Sequence, residues 1–406
     1  MKCSSSCFLL HYLAILCLFH FYSQELLISA FSTSSKTSPT TTRPTTTANT
    51  DNEITDRWEE ELLGIAKPLS PAPPSLHESL EILKRDGVVR LNRDAFSIDE
   101  TLCGVLRDRI LCEIENPNNN NFGDHTKLDK NYIDTYVPGT RLRPGKGAMD
   151  LTFGGDARHD ILLPLRDDNF PQVQPVLESA ASQLEPLLLM ATDQLLPRLH
   201  GISDTSLSSN ENDNTLAAEL VEVGSLLVRR GSFHQSVHGD YRRYTEDKQN
   251  SSQEESLTIT QARVGKVPPR IVTFVALQDI PSDQHGPTGF ITGTHNSQTH
   301  GLLYRESTTI LEKSDLAESR KRILESSTSG VRTTCGFRRG DMLIYDASVL
   351  HWGAANSIPK NDRAIFYFGV SKLGSAARLD VGPKLKGFET IPPILLQDIT
   401  GMSQQH

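Results

Sequence analysis

The chain has 406 residues, 50 of them acidic and 41 basic, giving a formal net charge of -9, with 37% hydrophobic and 22% charged residues. This is the profile of a soluble globular protein and excludes a disordered or fibrous one. The acidic balance, without a basic block or aromatic-studded basic stripe, argues against a nucleic-acid partner and makes a small molecule the expected one.

In chain order, residues 1–30 carry Lys2, the apolar run "CFLLHYLAILCLFHFY" and a small-residue junction at Ser29 and Ala30, the pattern of a secretory signal peptide. The run falls short of the roughly 20 apolar residues a membrane span needs, and no later segment reaches that length, so no integral span is expected once the signal is removed. Residues 31–50 are rich in Ser and Thr, carry Lys36 and Arg43, and meet no acid before Asp51, a composition that cannot pack a core. An Ala-Phe junction ahead of such a stretch resembles a bipartite plastid presequence. A secreted or endomembrane protein with a Thr-rich linker is the other reading, and there the sequon Asn250-Ser251-Ser252 would matter. The remaining residues, about 350, suffice for one large domain or two modest ones.

The spacing of apolar residues predicts helices over 56–66 and 75–86, the second ended by Gly87 and followed by the strand "VVRLN". A helix over 97–116, with Ser97 as N-cap, stops at Pro117 and the Asn run. Residues 171–198 predict one long helix with a proline interruption or two short ones. After the polar loop 201–215, short β-branched and aromatic runs separated by Gly, Pro and Asp predict strands: "LVEVGSLLVRR", "RIVTFVALQDI", "GFITGTH", "GDMLIYDAS" and "AIFYFGVSK". Together they predict an α+β protein with a mainly β core, an antiparallel sandwich or barrel flanked by the earlier helices. Residues 245–256 form a second polar insertion. Of six cysteines, Cys3, Cys7 and Cys17 fall in the leader; Cys103, Cys112 and Cys335, without C-x-x-C spacing, read as small buried side chains.

The stretch "GSFHQSVHGDYRRY" holds the chemistry. On a strand, His238 and Asp240 share a face and can present an imidazole and a carboxylate to one ion. Two histidines and one carboxylate, with three positions left open, suit non-heme Fe(II). The third ligand is His351, at the end of "MLIYDASVL", and Arg363 opens the next strand, where a guanidinium can clamp the distal carboxylate of a 2-oxo acid.

These residues resemble the phytanoyl-CoA dioxygenase family of Fe(II)- and 2-oxoglutarate-dependent oxygenases. "QSVHGD" matches its Q-x-x-H-x-D, "HGPTGFITGTHN" resembles its N-G-P-x-x-x-x-P-G-S-H turn, and "GDMLIYDASVLHWGAANSIPKNDR" resembles its G-D … H … N … R segment; the likeness covers about 80–372. The resemblance implies a double-stranded β-helix (jelly-roll, cupin-like) core over about 218–375 within a single domain, 51–406. It implies His238, Asp240 and His351 as iron ligands and Arg363 as partner of the 2-oxoglutarate C5 carboxylate. Gln235 and Asn356 would line or support the site, and Phe274, sharing a strand face with Val272, would lie against the co-substrate. Fe(II), 2-oxoglutarate and O2 are the implied cofactors, with ascorbate as a stimulant. The implied reaction hydroxylates a small metabolite or lipid and releases succinate and CO2; the carboxylate of Asp240 disfavours halogenation, since related halogenases lack it.

The sequence departs from the family pattern at Gly353, which replaces a hydroxyl residue, and at Thr292 and Thr294, which replace Pro and Ser. A non-catalytic binding protein on the same fold is the rival reading, with a cupin-like isomerase or metal hydrolase a further one. His234, His285, His295 and His300 read as loop or surface residues, and Trp352 as core. Arg229, Arg230, Arg242 and Arg243 read as a solvated face or a receiver for an anionic substrate group, and 140–150 as a lid.

Overall fold

The computed structural model describes residues 57–115, 158–163, 171–196, 217–241, 269–304, 313–373 and 394–400. Residues Ile54–His406 form one unit; the other, Met1–Glu53, lies outside the described residues, as do the segments 140–150 and 245–256, Asn250, Arg242 and Arg243.

Three helices precede the main strands: α1 (Arg57–Ile65), α2 (Leu76–Asp86) and α3 (Glu100–Glu115). Ser75 caps α2 by accepting the Glu78 N–H, and Gly87, at φ +75°, closes it with an N–H to Leu83 O. At α3 the cap is Asp99 rather than Ser97: Asp99 Oδ1 accepts from Thr101 N at 2.7 Å and Leu102 N at 3.1 Å, while the Ser97 backbone is held by the Gln183 side chain. The long segment is one continuous helix, α4 (Val173–Leu195). Pro186 lies inside it, on the exposed face, where it costs about 3 kcal/mol. The stripe Val176, Leu177, Ala180, Ala181, Leu184, Leu187, Leu188 and Ala191 is fully buried at helical spacing, and that burial carries the helix through the proline.

The strands form two sheets. Six are ordered β2 (Val88–Arg90), β8 (Met342–Asp346), β5 (Ile271–Ala276), β10 (Arg363–Lys372), β4 (Ala218–Val228), β3 (Arg158–Leu162), all antiparallel. Four are ordered β1 (Lys67–Pro68), β7 (Val331–Thr333), β6 (Thr288–Ile291), β9 (Leu350–Gly353), with β1 parallel to β7. Helices α5 (Ser297–Tyr304) and α6 (Lys313–Glu325) lie between β6 and β7 in sequence, and α7 (Leu396–Thr400) follows β10. The fold is α+β. Strands β2 and β3 enter the large sheet from outside 218–375.

Alternation along the central strands separates two cores. Ile271, Val275, Ile344, Phe366 and Phe368 face the helices, while Val272, Phe274, Leu343, Tyr345, Ile365 and Tyr367 face Phe290 of the small sheet. The outer face of the small sheet packs Ile291, Leu350 and Trp352 against Trp58 and Leu62 of α1 and Ile323 of α6. The run "MLIYDASVL" is therefore two strands in different sheets, joined by a turn at 347–349. Among the described residues no helix is long and apolar enough to cross a membrane.

Trp352 lies opposite Gly289, and a Cβ at that glycine would collide with the indole. Gly289→Ala is expected to cost about 1–3 kcal/mol, read as a lower midpoint in a thermal melt.

Candidate metal centre and anion pocket

The segment that bears His238 lies along β9. His238 and His351 exchange backbone bonds of 2.9 and 2.8 Å, and Gln235 N donates to Gly353 O at 2.8 Å. Residues that exchange both bonds stand directly opposite with side chains on one face, and the two imidazoles sit 4.4 Å apart between ring centroids. Asp240 enters the cluster because its N–H donates to Ala347 O at 2.7 Å. Gly239 makes that turn feasible: a Cβ there would lie 2.8 Å from Ser348 O.

Each imidazole is held in one tautomer. His238 Nδ1 lies 2.8 Å from Ser236 O and His351 Nδ1 lies 2.9 Å from Val349 O. A carbonyl only accepts, so both Nδ1 atoms carry the proton and both Nε2 atoms keep the lone pair. Each Nε2 lies 3.8 Å from Asp240 Oδ1, and the three ligand atoms all lie within 4.8 Å of one another. The 3.8 Å spacing is too long for a hydrogen bond and less than twice a metal–nitrogen bond of about 2.1 Å. The three residues fit a divalent cation, and the fixed tautomers are the arrangement that metal-bound histidines require.

Asp240 Oδ2 is occupied separately, by Arg270 Nη2 at 3.3 Å and Tyr345 Oη at 3.5 Å. Tyr345 also packs edge-on against His351, at 5.4 Å between centroids, and Phe290 stacks on the same imidazole at 6.0 Å. Phe274 meets Tyr345 edge-on at 5.0 Å, which places it in the sandwich interior behind this wall.

A second constellation lies beside the first. Arg363 is 1% exposed; its Nη1 donates to Thr288 Oγ1 at 3.2 Å, and its Nε has no partner. Arg158, at the start of β3, donates to the carbonyls of Ala354 at 2.9 Å and Phe233 at 3.1 Å and more weakly to Gln235 Oε1 at 3.4 Å, and its Nε is also unpartnered. Among the described residues neither guanidinium has a carboxylate partner. Burial pushes Arg158 down to about 10, and burial followed by the charge of Arg158 holds Arg363 well below the usual arginine range.

Strand register explains why they converge. Arg363 and Arg158 are both paired with Val228, one from each side of β4, so they share a row and a face of the large sheet. Their polar ends meet across the cross-strand pair Thr288 and Gly353. Gly353 is thus explained: a Cβ there would collide with Arg158 Nη1 and Gln235 Oε1, so a guanidinium fills the space a larger residue would take.

Asn356 serves the framework: its amide donates to Val228 O at 2.8 Å and Asn361 O at 2.7 Å, fixing the turn that launches Arg363. Thr294 Oγ1 accepts the Leu350 N–H at 3.0 Å and so anchors the start of β9, while Thr292 Oγ1 bonds Gly330 O. Among the histidines, His300 departs from expectation: it is 2% exposed, and its Nε2 donates to Ser348 O at 2.7 Å. His234, His285 and His295 are half-buried, each bonded to nearby turn or helix atoms. Arg229 pairs with Asp362 at 3.1 Å. Arg158, Arg270, Thr288 and Tyr345 carry no local motif that would single them out in the sequence.

No family model matches the chain, and no curated protein does. Among solved structures, it is similar to HygX from Streptomyces hygroscopicus with nickel and 2-oxoglutarate bound, at 15% identity over 73% of this chain and 86% of that one, with a TM-score of 0.36. It is similar also to EctD from S. alaskensis with 2-oxoglutarate and 5-hydroxyectoine, at 15% identity over 77% and 81%, with a TM-score of 0.40. A third is the epimerase SnoN in complex with Fe3+, alpha ketoglutarate and nogalamycin RO, at 13% identity over 79% and 98%, with a TM-score of 0.42.

Proposed function

We propose that the chain is an Fe(II)- and 2-oxoglutarate-dependent dioxygenase of the phytanoyl-CoA dioxygenase type, hydroxylating a small metabolite or lipid with release of succinate and CO2. One observation carries this reading: a buried cluster of two imidazoles and a carboxylate lies beside two buried guanidiniums that have no carboxylate partner among the described residues. On β9, His351 and Gly353 share a face about 7 Å apart, a gap that a five-carbon diacid can span. His238, Asp240 and His351 would hold the ion. Arg363, with Thr288 and Arg158, would hold the far carboxylate through charge-assisted hydrogen bonds. Bound there, Fe(II) with 2-oxoglutarate and O2 supplies oxidation of an unactivated C–H bond, with ascorbate as a stimulant. The protein's part is to fix the ligands, neutralise the diacid and keep bulk water out.

The topology supports the finer fold. Counting β4, the His238 segment and then β5 to β10 as strands one to eight, the large sheet reads 1-8-3-6 and the small one 2-7-4-5. That order supports a double-stranded β-helix, with the proposed site between its sheets. The leader supports a plastid or secretory destination by composition alone.

The test needs no substrate. Fe(II) and then 2-oxoglutarate are added to the protein without oxygen, and a weak visible charge-transfer band is expected; admitting O2 should release succinate. A folded protein that binds iron yet gives no band with 2-oxoglutarate would sink the oxygenase reading and leave a metal-binding protein.

A further inference from the structure

Behind the proposed metal ligands lies a buried ionic chain that the motif residues do not include. Arg270, 3% exposed at the head of β5, donates from Nε to Glu222 Oε1 at 2.5 Å and from Nη2 to Asp240 Oδ2 at 3.3 Å. Glu222, on β4, is itself 2% exposed. The two strands are separated by β10, and both residues reach across it at Gly369, which pairs with Glu222 on one side and Val272 on the other. A Cβ at Gly369 would lie 2.8 Å from Glu222 Cγ and 3.1 Å from Arg270 Cδ, so the glycine clears the path for the ion pair. A register shift in the β4–β10 pairing between Gly369 and Val370 falls at the same place.

A core ion pair placed for stability alone would not need to touch a proposed ligand. Here Arg270 holds the one carboxylate oxygen that Asp240 does not turn toward the histidines, and Tyr345 Oη approaches the same oxygen at 3.5 Å. We infer that Arg270, fixed by Glu222, is a positioning residue that locks the Asp240 carboxylate so that it offers Oδ1 alone to the ion. Glu222 has a second effect: it offsets the positive charge of Arg270, which would otherwise weaken the attraction of Asp240 for a cation. The inference rests on the metal-centre reading above. It adds a device that orients one ligand and keeps the remaining positions on the ion open for co-substrate.

Co(II) is the probe, because its visible spectrum reports coordination. The double variant E222Q/R270M removes the lock without changing the net charge and without stranding Glu222, leaving Asp240 with Tyr345 Oη and the ion as its partners. Wild-type protein is expected to bind Co(II) with a defined visible spectrum. In the double variant the affinity should fall about 10–100-fold and the spectrum should change, and R270K, which keeps the charge and a donor to Oδ2, should recover most of both. If the double variant melts cooperatively yet keeps wild-type affinity and spectrum, Arg270 is only a core ion pair and the inference falls. If the double variant does not fold, E222Q and Tyr345→Phe decide: unchanged Co(II) affinity and spectrum in both would overturn it, and a graded loss would support it. Failure of the wild-type protein to bind Co(II) or Fe(II) would overturn the metal-centre reading itself, a distinct result from normal binding by the variants.

Discussion

Alanine at Asp240 is expected to abolish the stabilisation that Fe(II) gives the folded protein, and with it the charge-transfer band formed with 2-oxoglutarate. An ion held by these residues would bind the folded state only, because His238 and Asp240 meet His351 solely through the backbone pairing of distant segments. A ligand at a hundred times its dissociation constant then adds about 2.7 kcal/mol. With Asp240 gone, two imidazoles remain, and among the described residues the cluster has lost its one carboxylate. The apo fold should survive, since Arg270 keeps Glu222 at 2.5 Å. The measurement is the thermal midpoint with and without Fe(II) under anaerobic conditions: a rise in wild type, none in Asp240→Ala, and the same loss in His238→Ala and His351→Ala. An undiminished rise in all three variants would place the metal elsewhere.

The parts legible in the sequence were those with local signatures. His238 and Asp240 lie two apart on an extended segment, Ser75 and Gly87 bracket a helix, and α4 repeats its apolar residues every third or fourth position, so each shows within a short window. Periodicity failed where a strand is buried on both faces. Met342 to Asp346 are all buried, so no alternation marks the end of β8, and the turn before Leu350 contains neither Gly nor Pro. The cap of α3 moved from Ser97 to Asp99 because the aspartate reaches two backbone N–H groups and a neighbouring helix claims the serine's backbone. Arg158 was invisible for a different reason. Its meaning comes from a register in which Val228 stands between it and Arg363, and no spacing along the chain encodes that. The same holds for Arg270, whose partners Glu222 and Asp240 lie on separate strands and loops.

Methionine at Arg363 is expected to make the ligand-free protein more stable while removing its capacity for 2-oxoglutarate. Both arginines are buried without a carboxylate partner among the described residues, and an uncompensated buried charge costs about 3–5 kcal/mol. Burial holds Arg158 down to about 10 and Arg363 in the same direction, so the fold binds these protons less tightly than the unfolded chain. At neutral pH Arg158 is protonated in both states and the folded state bears the full penalty; stability from this source would rise only as pH climbs past about 10 toward the ordinary arginine range. A dicarboxylate supplies the missing charge, so in wild type it should raise the melting midpoint and Arg363→Met should erase that rise. Methionine gives up one bond to Thr288, worth about 1 kcal/mol, which is less than the charge it removes, and the apo midpoint should therefore climb by several degrees. Arg158→Met should repeat the pattern with a smaller loss of affinity, since its guanidinium is already partly spent on the carbonyls of Ala354 and Phe233. Calorimetric titration with 2-oxoglutarate and with a neutral ester of it separates the alternatives: discrimination between the two in wild type, lost in Arg363→Met, is the signature of the clamp. Equal affinity for acid and ester in wild type would mean that the buried pair serves another anion.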